Sequence, residues 1–342
     1  MNRFRTRVTA TLALTTTTAL LLTACGAADS VSSSGGGTRK VAVLAASSQN
    51  GYNQAVYKGV QQAAAASGKK ITLKLLDGQF DSNTQLSQLQ NVTSTGNYDG
   101  VVVVPNDGVG LAAAFPLSKK IPVATVLNPI GPDINKMEPQ VDGVVTTVGV
   151  PPAAAAQKQA EGVVTYCARI NPCKVVLLVG NLSTPLDVAR RNAYKKVLGA
   201  HSNIKVVSTV EGQYDRDTSL KAISNVLQAH KDINVILSNA DQEAAGAQIA
   251  LQNAGIKPSS VYLTGAGGTK DAVAAVRSGA WKAAYINFPL SMGKAAMEQL
   301  IKAMDGGTPK AVVDSDGIGG VEPYATKETL ARTPDFTGEW NG

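Results

Sequence analysis

Two periodicities alternate along the chain. Residues 40–44 form a short apolar run, and over 52–67 apolar positions return at helical spacing. Residues 71–76 read as a second strand and 82–95 as a second helix. Residues 101–104 are four valines in a row, as expected for a strand buried on both faces. A helix over 109–119 and a strand over 122–126 follow. The second half repeats this order, with strands at 175–179, 204–210, 235–237 and 261–263 and helices at 187–199, 217–229 and 242–254. Such alternation predicts parallel sheets with helical crossovers.

The repetition extends to the residues. DGQFDSNTQLSQLQN, residues 77–91, returns 134 positions later as EGQYDRDTSLKAISN, residues 211–225. Gly, Gln, an aromatic, Asp, Thr, Leu and a closing Asn keep their places. The same offset relates three successive strands, and Pro105-Asn106-Asp107 is echoed by Asn239-Ala240-Asp241. A period this long is no solenoid; it is one α/β lobe built twice. The expected fold is two doubly wound, Rossmann-like parallel-sheet lobes. Ligands of such sheets sit beyond the carboxyl ends of the strands. Two lobes facing each other would then place Phe80 and Tyr214 on opposite sides of a cleft. Asp81 and Asp215 suit helix N-caps, and Leu86 and Leu220 suit core-facing positions.

Composition narrows the possibilities. The chain has 342 residues, room for about two domains, and its 44% hydrophobic content can fill real cores. The net charge of +7 is not a nucleic-acid footprint, because the basic residues form no cluster beyond pairs such as Lys69-Lys70. Arg3, Arg5 and Arg7 belong to an N-terminal segment with a basic start, a Thr-rich apolar run and small residues, which reads as an export signal over 1–24. Leu22-Thr23-Ala24-Cys25 resembles a bacterial lipobox, and that resemblance implies lipid on Cys25 after cleavage. Residues 25–38 are small and polar, a flexible tether, so folding is expected from about Arg39 onward. The expected location is extracytoplasmic, anchored by lipid to the outer face of the cytoplasmic membrane.

Cys167 and Cys173 remain as an even pair around Asn171-Pro172. An oxidising compartment permits a disulfide; the reading favours that bond over two free thiols. No metal site is expected, since two Cys without a neighbouring His fall short of four ligands. His201 and His230 lie near predicted helix ends. No cofactor motif stands out: GAGGTK lacks P-loop spacing, and no G-x-S-x-G elbow is present. The sequence therefore argues against an enzyme.

At this point the chain resembles the type I periplasmic substrate-binding proteins of ABC transporters, in their ribose-binding-like branch. The segments that carry the likeness are Ser48-Gln49-Asn50-Gly51-Tyr52, VVVVPND, IPVATV, ARRNAY, QYDRD, SNADQEAAG and NFPLSMG, spread over about 40–324. The resemblance implies a three-segment hinge with crossings near 128–148, 287–289 and 312–318. Its lobes would comprise 39–143 plus 288–311 and 144–287 plus 312–342. It implies a monomer that closes on a small sugar-like ligand and is recognised by a membrane permease. Carried over residue by residue, the expected ligand set is Asn50, Tyr52, Asn128, Arg190, Tyr214, Asn239, Asp241, Asn287 and Asp187, with Phe80 and Asp107 added from the internal repeat. Amides and carboxylates read hydroxyl groups, and aromatic faces stack on sugars.

Three departures stand out. Leu127-Asn128 occupies the place where sugar-binding members carry an Asp-Arg pair, Val188 stands for an Arg, and Gly267 for an Asp. The charged clamp on a pyranose is largely missing, which leaves a polyol, an unusual sugar or a less polar metabolite open as ligand. A binding protein that reports to a membrane receptor instead of a permease would show the same site. A sugar-responsive repressor shares the architecture, but the export signal and the missing helix-turn-helix argue against it.

Overall fold

The computed structural model describes residues 37–117 and 120–342. The signal segment, Cys25 and nearly all of the tether lie outside the described residues. The first lobe opens with β1 (Arg39–Ala45), α1 (Gly51–Ala66), β2 (Ile71–Asp77), α2 (Ser82–Thr95), β3 (Gly100–Val103), α3 (Gly108–Leu111), β4 (Val123–Val126) and β5 (Val144–Val148). The second lobe holds α4 (Pro152–Cys167), β6 (Cys173–Val179), α5 (Pro185–Gly199), β7 (Ile204–Glu211), α6 (Arg216–Ala229), β8 (Val235–Ser238), α7 (Asp241–Asn253), β9 (Tyr262–Ala266), α8 (Lys270–Ser278) and β10 (Ala283–Tyr285). The chain then returns with α9 (Pro289–Met304) and β11 (Val312–Val313), and ends with β12 (Tyr324–Thr326) and α10 (Lys327–Ala331).

The first sheet runs β11-β5-β4-β3-β1-β2 and the second β12-β10-β9-β8-β6-β7. The two orders match strand for strand, and the 134-residue offset holds for β1 against β6 and for α2 against α6 at both ends. They differ at the outermost strand: β11 lies parallel to β5, whereas β12 lies antiparallel to β10.

Strand alternation fills both faces of each sheet. Val41 and Val43 enter one apolar cluster with α1 and α9, while Ala42 and Leu44 enter another with Leu89 and Leu111. Val176 and Leu178 likewise oppose Val175 and Leu177 in the second lobe. Helix α9 is held against α1 by glycine. A Cβ on Gly59 would sit 1.9 Å from Leu290 O and one on Gly293 2.1 Å from Val56 O, so the two backbones touch only because both side chains are absent. Cys167 and Cys173 are joined as a disulfide that ties the end of α4 to the start of β6.

Two expectations need correction. The lobe boundaries differ, because β5 pairs with β4 and β11 pairs with β5. Residues 144–148 and 312–313 therefore belong to the first lobe, and the crossings fall after Val148, after Tyr285 and between Val313 and Tyr324. The helix expected over 109–119 ends as α3 and a single 3₁₀ turn, Ala112–Ala114. Phe115 precedes Pro116, whose ring disfavours helical backbone in the residue before it, and Phe115 is extended at φ −101° and ψ 145°.

Candidate functional site

The carboxyl ends of the two sheets face each other across a cavity of about 100 Å³, room for several water-sized groups. Its lining includes eight of the expected residues: Asn50, Tyr52, Phe80, Asn128, Arg190, Tyr214, Asn239 and Asn287. Phe80, Asn128, Tyr214, Asn239 and Asn287 stand within three residues of a strand end, Asn50 caps α1, Tyr52 comes from the first turn of α1 and Arg190 from the second turn of α5.

The repeated stretch supplies the aromatic pair. Gln79 and Phe80 have φ of 55°, and Gln213 and Tyr214 have φ of 56° and 55°. The duplicated strand-to-helix turn thus places two successive non-glycine residues in the left-handed region, in both lobes. Asp81 and Asp215 follow as the N-caps of α2 and α6, accepting from Thr84 N and Thr218 N. The turn projects the aromatic ring out of the lobe, and the rings of Phe80 and Tyr214 stack on each other across the cleft, 5.9 Å between centroids and 21° between planes. A polar device thereby carries an apolar contact, which is why the aromatic sits in a hydrophilic turn.

Amides provide the hydrogen-bonding surface. Asn128 is 1% exposed and donates from Nδ2 to Pro105 O at 2.9 Å, while its Oδ1 has no partner. Asn239 is 3% exposed and donates from Nδ2 to Asp187 Oδ1 at 2.7 Å; its Oδ1 is also unpartnered. Both orphaned acceptors belong to cavity-lining residues, and a buried acceptor left unmade costs about 1–3 kcal/mol. Asn50 is partly spent on structure, because its Oδ1 caps α1 by accepting from Tyr52 N at 3.0 Å and Asn53 N at 3.3 Å.

Three expected carboxylates do not line the cavity. Asp107 caps α3, accepting from Gly110 N at 2.8 Å. Asp187, fully buried, is a hub behind the wall. It accepts from Asn181 N at 2.6 Å, Tyr214 Oη at 2.7 Å and Asn239 Nδ2, and lies 3.4 Å from the Arg190 guanidinium. Its place is made by Gly180, where a Cβ would lie 2.5 Å from Asp187 Oδ2 and 2.3 Å from the Tyr214 ring. Asp241 is buried behind Gly267 and accepts from Thr269 N at 2.8 Å.

Burial governs the charges. It raises Asp241 to about 7, against the pull of the Thr269 N–H. It raises Glu243 to about 8, with the Asp187 charge adding to the effect. Burial works against the Arg190 charge, yet Tyr214 and Asp187 beside it hold its pKa above the ordinary value. Arg190 thus keeps its charge beside Asp187, while burial pushes Glu243 and Asp241 toward their protonated forms.

Several lining residues escaped sequence reasoning, among them Asn106, Asn181, Gln213, Gln242 and Trp340. Asn106 and Gln213 lie inside or beside the quoted motifs and could have been found there. Trp340 lies in a short polar tail with no periodicity to place it.

A two-lobed α/β protein with a neutral, amide- and aromatic-lined cleft at opposed strand ends is built to hold a small molecule. The chain belongs to the periplasmic binding protein family, whose domain matches residues 41–308. It is of the type I, ribose-binding-like kind that serves ABC transporters, a family of extracytoplasmic binding proteins and not of enzymes. It is 25% identical over 250 residues to the ribose import binding protein RbsB of Bacillus subtilis (strain 168), covering 73% of this chain and 76% of that one. It is 27% identical over 246 residues to the xylitol-binding protein of Mycolicibacterium smegmatis, covering 70% and 66%. An ABC transporter solute-binding protein from Agrobacterium vitis, crystallised with D-fucose, superposes with a TM-score of 0.74 at 19% identity, over 86% of this chain and 98% of that one.

Proposed function

We propose that this protein captures a small neutral ligand rich in hydroxyl groups, a monosaccharide or polyol, in the interlobe cleft and hands it to an ABC transporter permease. The observation that carries this reading is the pair of buried, unpartnered carbonyl oxygens on Asn128 and Asn239. They call for hydrogen-bond donors, and with Arg190, the guanidinium among the described lining residues, already paired with Asp187, the site needs no charge from its ligand. Relatives named for ribose and for xylitol agree with that chemistry. The protein works as a monomer, tethered outside the cytoplasmic membrane through lipid on Cys25.

The test is thermal unfolding of protein freed of carried ligand, against aldoses, ketoses and polyols. At a hundred times its dissociation constant a true ligand adds about 2.7 kcal/mol. Asn128→Ala should abolish most of that gain. Stabilisation by no neutral sugar or polyol would remove the carbohydrate reading.

A further inference from the structure

The chain does not end where its family match ends. Beyond residue 308 it runs through β11, β12 and α10 and then turns back over the cleft. The base of this tail is fixed to the second lobe: Arg277 on α8 donates to the carbonyls of Leu330, Thr333 and Phe336 at 3.0, 2.7 and 2.8 Å. Further along, Lys270 N donates to Trp340 O at 3.0 Å and Trp340 Nε1 donates to Gly267 O at 2.8 Å. The tail tip thus pairs with the loop that leads into α8.

The same few residues reach the first lobe. Glu339 accepts from the backbone N of Ser291 at 3.1 Å and from its hydroxyl, and Ser291 lies on α9, which packs on α1. The ring of Trp340 meets that of Tyr52 edge to face, 5.6 Å between centroids. A Cβ on Gly51 would stand 2.9 Å from Asn341 O. Trp340 is 5% exposed, and it lines the cavity.

Gly267 makes room for it. It stands where an acidic side chain was expected, has φ of 143°, and any Cβ there would lie 2.9 Å from Trp340 Cζ2. An indole therefore fills the space a side chain at position 267 would take. The acidic group nearby, Asp241, is shut behind the same glycine.

We propose that residues 338–342 form a strap that completes the cleft, with Trp340 as a specificity-determining residue that selects ligands with a C–H or methyl face, and with the Glu339–Ser291 contact seating the strap when the lobes close. The indole offers apolar, polarisable area and no acceptor, so it favours a ligand whose one side lacks hydroxyls, such as a deoxy sugar or the apolar face of a polyol. Hydroxyls on the other side meet the amides of Asn128 and Asn239. This selectivity rests on the reading of the cleft as a sugar or polyol site; the strap itself does not.

Two measurements separate the two ideas. First, wild type, Trp340→Phe and Trp340→Ala are titrated with paired hydroxylated and deoxy sugars and polyols, following melting temperature and tryptophan emission. The chain has two tryptophans, so a ligand-induced emission change present in wild type and absent from Trp340→Phe belongs to Trp340. The expected result is that change, a loss of about 10- to 100-fold in affinity for Trp340→Ala, near-normal affinity for Trp340→Phe, and a loss of preference for the deoxy compound. A ligand that binds wild type and Trp340→Ala equally, without altering emission, overturns the role of Trp340 and leaves the proposed function standing. Second, a Ser291→Cys/Glu339→Cys pair in a Cys25→Ser chain is treated with a short bis-maleimide, which adds one cysteine thiol at each end, with no ligand required. Efficient bridging, detected by mass spectrometry, is expected with or without sugar, and more with it. Failure to bridge overturns the strap. If no sugar binds at all, the function falls, the selectivity falls with it, and bridging alone decides the strap.

Discussion

The two lobes are copies whose cleft-facing surfaces have diverged. Asn53 and Asp187 occupy equivalent places 134 positions apart, as do Val56 and Arg190, and Phe80 and Tyr214. In the first lobe Asn53 Oδ1 accepts from Ala46 N at 3.1 Å, Val56 is core and Phe80 has no polar handle. In the second lobe three changes on the same backbone build a charged network: Asp187 binds the Tyr214 hydroxyl and abuts Arg190. One lobe offers amides and apolar surface, and the other fixes a preorganised polar wall. The lesson is that the repeated turn is a scaffold for presenting a ring. What the ring carries decides which lobe anchors it by hydrogen bonds: the Tyr214 hydroxyl is held by Asp187, and Phe80 has no such anchor.

The largest effect should come from removing the hub. Asp187→Ala strands Arg190 and leaves three further donors unmet, so it should cost roughly 3–5 kcal/mol, whereas Asn53→Ala in the first lobe should cost about 1–2 kcal/mol. Urea denaturation of both variants checks the difference. Asp187→Asn, which installs the first lobe's residue, should fall between them. Equal losses at 53 and 187 would mean that the network adds nothing beyond a single hydrogen bond.

A second contrast is pH dependence. Glu243, raised to about 8, and Asp241, raised to about 7, both belong to the second lobe, and Val109 stands at the position equivalent to Glu243. Both carboxyls titrate near 4 when unfolded, so between about pH 4 and their folded values the native state holds more protons than the unfolded chain. Stability therefore falls as pH rises through that window, by about 1.4 kcal/mol per unit for each group. Denaturation midpoints should decline from pH 5 to 8. Glu243→Gln should flatten the slope by about half, and a profile that rises over this range would contradict the burial argument.

Much of this was legible. The strand runs follow from apolar spacing, because a strand buried on both faces must be continuously apolar; the 134-residue repeat shows in residue identities, and the cleft follows from where two such sheets bind ligands. What escaped was set by contacts distant in sequence. β11 and β12 have two and three residues, too short for any period, and their sheet assignment comes from pairing alone. Asp187 looks like a ligand-reaching carboxylate until Tyr214, Asn239 and Asn181 are seen to consume it. Trp340 was invisible because its partners, Tyr52 and Gly267, lie far upstream.

The smallest contrast tests the likeness of the lobes rather than their difference. Gln79 and Gln213 share a left-handed φ, at 55° and 56°, where an L side chain costs roughly 1–2 kcal/mol. Glycine relieves that strain but gives the unfolded chain more freedom, so each Gln→Gly should gain only about 0.5–1 kcal/mol. The gains should be equal, since the turns are copies. Their consequences for ligand should not be: Gln213 lines the cavity and Gln79 does not, so only Gln213→Gly should also shift affinity. Melting curves and titration on the two single variants separate these effects. Unequal gains without ligand would show that one turn is strained more than its twin, and the equivalence of the two backbones would have to be given up.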